Sequence, residues 1–72
     1  MKLFTIDDAR ILEDLIDGHG LQHILQVIAR LAEEKADHVM TNWQDRKLAQ
    51  AWFEAAGKIG DCALTDAVVA IP

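Results

Sequence analysis

Apolar residues recur every three or four positions along most of this chain, the spacing of one face of an α-helix. Three such stretches predict helices at about residues 6–17, 21–40 and 43–63. The pattern therefore predicts an all-α fold with a short N-terminal helix and a long antiparallel helical hairpin. The apolar stripe of the first helix comprises Ile6, Ala9, Leu12, Leu15 and Ile16.

Capping residues mark the predicted ends of the first helix. Thr5 is followed three positions later by Asp8, which is the spacing of a capping box. Gly18 is placed to end the helix, because glycine accepts the backbone conformation that follows a helical C-terminus. Together with the hairpin, this helix is expected to form one helical domain over residues 1–64.

A polar elbow at residues 41–45 separates the two helices of the predicted hairpin. It contains two overlapping capping boxes, Thr41 with Gln44 and Asn42 with Asp45, and either could begin the third helix.

The final residues, 65–72, change in character. They are uncharged except for Asp66 and are rich in valine and isoleucine. We expect an extended or irregular apolar tail that packs on the hairpin or on a second chain, since its apolar side chains are unfavourable in water.

The hairpin carries more large apolar residues than one seam between two helices can bury. On the third helix, Trp52 and Phe53 point about 100° apart, so they cannot both fill that seam. Docking of the first helix, a homodimeric helical bundle, or both would cover the excess. The predicted core and dimer contacts are Leu21, Ile24, Leu25, Ile28, Leu31, Leu48, Trp52 and Ile59.

The charge balance limits the class of partner. Twelve acidic against seven basic residues give a formal charge of −5. Nucleic acid and anionic membrane surfaces are therefore disfavoured as partners. Residues 6–17 hold five acids and one base, which indicates either a solvated face or a docking surface for a basic protein.

The residues expected to contact a partner combine these acids with two aromatic side chains. Trp43 lies at the elbow, where an indole either clamps the two helices together or stands exposed as an anchor. Trp52 shares a face with Leu48 and is expected to pack in the core. The predicted partner contacts are Asp7, Asp14, Asp17, Trp43 and Phe53.

Catalytic and cofactor chemistry find little support in the sequence. The lone Cys62 falls in the predicted apolar stripe of the third helix, where a thiol is usually inert packing. Glycine-rich phosphate loops are missing, and three short helices leave little room for a substrate cavity. We expect a non-enzymatic protein without a cofactor.

Metal binding at His19 and His23, four residues apart, is an alternative. His38 and Cys62 are further possible ligands, but folding would have to bring them to the pair. Surface or capping roles are the preferred interpretation, because Gly20 lies between the two histidines and no acid follows in a metalloprotease arrangement. We therefore predict no metal site.

The single cysteine excludes a disulfide within the chain and fits a reducing cytoplasm. The N-terminal residues lack the long apolar run of a signal peptide, and no window reaches the roughly 20 apolar residues of a membrane span. The expected location is cytoplasmic.

Three runs in the central half of the chain form a pattern: 34–38 (EKADH), 42–45 (NWQD) and 51–52 (AW). This pattern resembles one found in a group of short, uncharacterised helical proteins of phages and bacteria. In size and charge the chain is also similar to small phage inhibitors of host proteins. That resemblance implies a regulator or inhibitor that binds a host protein, and a structural homodimer without a regulatory target is the alternative.

Overall fold

Four helices form the chain in a computed structural model, which describes residues 4–71. In chain order they are α1 (Ile6–His19), α2 (Leu21–Trp43), α3 (Arg46–Ala63) and α4 (Asp66–Val69). The described residues contain no strand. Helices α2 and α3 pack against each other along their length as a hairpin, whereas α1 contacts α2 only sparsely. The all-α fold and the helical hairpin predicted from the sequence are confirmed.

The start of α1 follows the predicted capping box. The Thr5 hydroxyl accepts a hydrogen bond from the Asp8 backbone N–H at 3.1 Å, and the Asp8 carboxylate accepts one from the Thr5 N–H at 3.0 Å. The helix then continues through Gly18 and ends at His19, two residues beyond the predicted end. It stops there because Gly20 adopts φ +85° and ψ 148°, a conformation that glycine alone adopts readily.

The turn of the hairpin differs from the prediction. Helix α2 continues through Thr41 and Asn42 to Trp43, so neither of these polar residues caps α3. The Asn42 amide bonds instead to the His38 carbonyl one turn earlier, at 3.1 Å, which satisfies it inside α2. Both overlapping capping boxes were therefore wrong as helix starts, and α3 begins at Arg46 rather than residue 43.

Two residues are enough to reverse the chain. Gln44 ends α2 in the left-handed conformation, with φ +51°, and its N–H donates to the Met40 carbonyl at 3.2 Å. Asp45 then caps α3, since its carboxylate accepts a hydrogen bond from the Leu48 N–H at 3.0 Å.

The core of the hairpin is a seam of small side chains. Ala36 is fully inaccessible, and every residue of the seam on α3 is an alanine. Its members on each helix are three, four or seven positions apart, as in the contact stripe of two packed helices. Alanines let the two backbones approach closely. The buried residues on the hairpin are Ala29, Ala32, Ala36, Val39, Ala49, Ala56 and Ala63.

None of the eight predicted core residues is buried within the chain. Four of them are half-buried: Leu21, Ile24, Leu25 and Ile59. The other four are exposed: Ile28, Leu31, Leu48 and Trp52. The physical reason is that two helices enclose only the narrow strip between them, which the alanines already fill.

The C-terminal residues form a helical turn instead of the expected extended tail. Thr65 precedes α4, and Val68 is buried against the hairpin, so part of the tail does fold back as predicted. Near this junction the Gln22 amide donates to the Ala63 carbonyl at 3.0 Å and links α2 to the end of α3. Val69 and Ile71 remain about half exposed.

Candidate interaction surfaces

Helix α1 carries an open apolar groove on one side. Phe4, Ile11, Leu12 and Leu15 line it together with Asp8, and its volume is about 240 Å³. No residue of α1 is buried, so the part of the chain that the structure describes does not cover this stripe. Docking of the first helix on the hairpin was one of the two predicted ways of covering the excess apolar surface. The structure does not show it.

Two of the groove residues, Phe4 and Ile11, were absent from the predicted stripe of α1. Their spacing could have identified them, because Phe4, Ile11 and Leu15 are separated by seven and four residues. The predicted stripe included Ile6 instead, which is 74% exposed.

The acidic residues of α1 border this groove. Asp7 and Asp14 lie four and three residues from Ile11, so helical spacing places both beside it. Asp17 continues the acidic side one turn beyond Asp14. All three are exposed, and the side of the groove that they occupy is strongly negative.

The charge of Asp8, on the groove itself, is stabilised locally. The Thr5 backbone N–H, and then the Thr5 hydroxyl, lower the pKa of Asp8 below its usual value of 3.8. The carboxylate is thus ionised throughout the neutral range.

Trp43 stands at the opposite end of α2 from α1. Its side chain is 74% exposed, so it does not clamp the two helices together and is free to contact another molecule. Helix α1 joins α2 at Leu21, about 33 Å away at 1.5 Å per residue. The structure therefore does not bring the acids of α1 and Trp43 into one site.

The two broad sides of the hairpin differ in polarity. Positions one residue before the seam lie on one side of both helices, because the hairpin reverses direction and its local two-fold axis is perpendicular to its plane. We call this side the front face. Ile28, Leu31 and Leu48 occupy such positions. Ile24 and Trp52 lie on the same side one turn from Ile28 and Leu48, and Ile59 lies two turns beyond Trp52.

The opposite side, the back face, is mainly polar. All of its principal side chains are exposed. They are Gln26, Glu33, Asp37, Arg46, Gln50 and Phe53. Phe53, which is 48% exposed, and Met40, which follows the seam residue Val39 and is 38% exposed, are large apolar residues on this side. The predicted partner contact Phe53 and the predicted core residue Trp52 thus point to different sides of the hairpin.

The histidines and the cysteine do not form a metal centre in the described chain. The rings of His19 and His23 stack with centroids 6.0 Å apart. Within residues 4–71, no group of three or more His, Cys, Asp and Glu side chains is placed to hold a metal ion. Cys62 is exposed rather than packed in the core as predicted.

None of the helices within residues 4–71 combines the length and hydrophobicity required to cross a membrane. Comparison with protein-family models, with curated proteins and with solved structures found no match for this chain. Its function has to be inferred from the surfaces described above.

Proposed function

We propose that this chain is a small acidic protein-binding module that regulates or inhibits another protein and works as a homodimer in the cytoplasm. The main support is the distribution of apolar side chains. The core is made of alanine and valine, whereas the large apolar residues lie at the surface. Exposed apolar patches of this kind are typical of protein interaction sites.

The partner surface that we propose is the acid-bordered groove of α1. Apolar residues flanked by carboxylates complement a partner with an apolar anchor and basic residues beside it. Trp43 is a second contact point, because a large exposed indole is a common anchor in interfaces. The resemblance to small phage inhibitors suggests a host protein as the target.

The test begins with immobilised protein, which is used to capture a partner from cell lysate. The double substitution of Asp14→Lys and Asp17→Lys replaces attraction to a basic partner with repulsion. We therefore expect its affinity for the captured partner to fall about tenfold or more. Trp43→Ala tests the other end of α2 separately. Titration of the purified partner against each variant gives the affinities.

A matched control keeps the change in net charge the same. Glu33→Lys with Asp37→Lys also converts two exposed acids into lysines, but on the back face of the hairpin. Equal loss of binding in both double variants would indicate a non-specific charge effect. Unchanged binding in the α1 variant and in Trp43→Ala would contradict the proposed contacts. Failure of the unaltered protein to retain any partner would favour a structural homodimer without a regulatory target.

A further inference from the structure

We infer that the front face of the hairpin packs against the front face of a second copy of this chain, giving a two-fold symmetric bundle of four long helices. The inference rests on the homodimer proposed above and assigns the surface that forms it. It leaves the groove of α1 for a different partner.

The first support is that large apolar side chains on the front face are exposed to solvent. Leu31 is 52% exposed, Leu48 is 46% exposed and Trp52 is 36% exposed. Leu31 and Leu48 each precede a seam alanine by one residue, and Trp52 lies one turn beyond Leu48. Because all three are on the same side of the hairpin, a second layer of helices would cover them together. A bundle of four helices buries such flanking positions, whereas a lone hairpin cannot.

The second support is the surface area. The chain exposes 6065 Å², whereas a compact folded protein of 8.0 kDa exposes about 4,450 Å². The excess is roughly 1,600 Å² per chain. Stable dimers bury about 800 Å² per partner at standard size and about 1,000–2,500 Å² per partner when they are obligate. This surplus is counted over the whole chain, including α1, and it exceeds the roughly 800 Å² per partner that a dimer of standard size requires.

The dimensions agree with this estimate. The radius of gyration of the Cα atoms is 14.1 Å, against about 11 Å for a compact domain of this length. Among residues 4–71, no large side chain is fully buried. A second copy would supply the missing layer, since domains are normally built from two packed layers around one core.

The charge pattern favours a second copy as the occupant of this face. Two chains of formal charge −5 repel each other least when they meet through a surface with few acids. By helical spacing, Lys35 is the charged residue of the hairpin within the front face, and the Glu34 carboxylate lies at its edge, where Glu34 lines a pocket with Leu31, Lys35 and His38. A face with so few charges can meet its own copy across a two-fold axis without strong repulsion.

Light scattering on the full chain over a range of concentrations tests the inference. We expect a mass of twice 8.0 kDa for the unaltered protein. Leu31→Glu on α2 and Leu48→Glu on α3 each place a charge in the proposed interface, and we expect each to halve the mass. Phe53→Glu is the matched control, because Phe53 is as exposed as these leucines but lies on the back face.

Circular dichroism shows whether each variant folds. Loss of helix in both leucine variants but not in Phe53→Glu would also support the interface, because none of the three side chains belongs to the single-chain core. The unaltered protein should then unfold at a temperature that rises with its concentration.

Two results would overturn the inference in different ways. A dimer that survives both leucine substitutions would contradict the front face as the interface while leaving the homodimer intact. A mass of 8.0 kDa at every concentration would contradict the homodimer itself. Binding of a separate partner by α1 would still be tested by the charge-reversal variants.

Discussion

At the scale of single residues, local hydrogen bonds account for where the helices begin. Thr5 and Asp8 accept hydrogen bonds from each other's backbone N–H groups at the start of α1. At the start of α3 there is one such bond, from the Leu48 N–H to the Asp45 carboxylate. These bonds use donors that a helix leaves unpaired at its first turn. They join residues three positions apart, so they are encoded locally.

The capping box makes the start of α1 sensitive to acid. Because the pKa of Asp8 is lowered in the folded chain, its contribution to stability is present above pH 3.8 and is lost as the pH falls through the lowered pKa. In Thr5→Ala we expect the pKa of Asp8 to rise only part of the way towards 3.8, since the backbone N–H remains. Titration of the Asp8 carboxyl by NMR measures both values.

Asp8→Asn is the control for this prediction. Its side chain cannot titrate, so we expect the stability of α1 to change less with falling pH than in the unaltered protein. A midpoint for Asp8 at or above 3.8 in the unaltered protein would show that the capping box does not form in solution.

At the scale of the elements, the spacing between α2 and α3 depends on alanine. Each buried CH₂ or CH₃ group contributes only about 0.8 kcal/mol, whereas a fully buried leucine contributes about 1.5–3 kcal/mol. The alanine seam therefore sets a close approach of the helices at the expense of apolar burial. This choice leaves the large side chains of both helices at the flanks.

Enlarging the seam should separate the two helices. Ala36 is 0% exposed, and we expect Ala36→Leu to lower the free energy of unfolding by about 1–3 kcal/mol because the added atoms have no space. Chemical denaturation followed by circular dichroism measures the change. Ala51→Leu, at an exposed position of α3, should have little effect. Equal effects would mean that the seam is not closely packed.

At the scale of the whole molecule, one glycine sets the direction of α1 relative to the hairpin. Gly20 both ends α1 and precedes α2, and its φ and ψ lie in a region that side chains disfavour. A Cβ atom at Gly20 would meet nothing within 4 Å, so the constraint comes from the backbone alone. The placement of the acidic groove away from the hairpin thus depends on this residue.

Substitution of two nearby glycines separates backbone strain from helix propensity. We expect Gly20→Ala to destabilise the junction by about 1–3 kcal/mol, and Gly18→Ala, inside α1, to stabilise the helix by up to about 1 kcal/mol. A Cβ atom is equally unobstructed at both positions. Hydrogen exchange of the α1 amides reports both effects, and a stabilising Gly20→Ala would contradict this junction geometry.

The sequence by itself determined the helical class, the start of α1 and the presence of a hairpin. Periodicity and capping act over three or four residues, so they can be read without knowledge of the fold. The acids of α1 and the aromatic residues Trp43 and Phe53 were candidate contacts because of local charge and residue type, which the sequence also shows directly. Their role as contacts remains a prediction.

Only the tertiary structure decided which capping residue begins α3 and which side chains are buried. Thr41, Asn42 and Asp45 are all good caps, and the choice of Asp45 comes with the two-residue turn that brings α3 against α2. Burial was assigned to leucine and isoleucine by hydrophobicity, but it depends on the distance between the helices. That distance is set by the alanines facing each other across the seam, a relation between residues far apart in the chain.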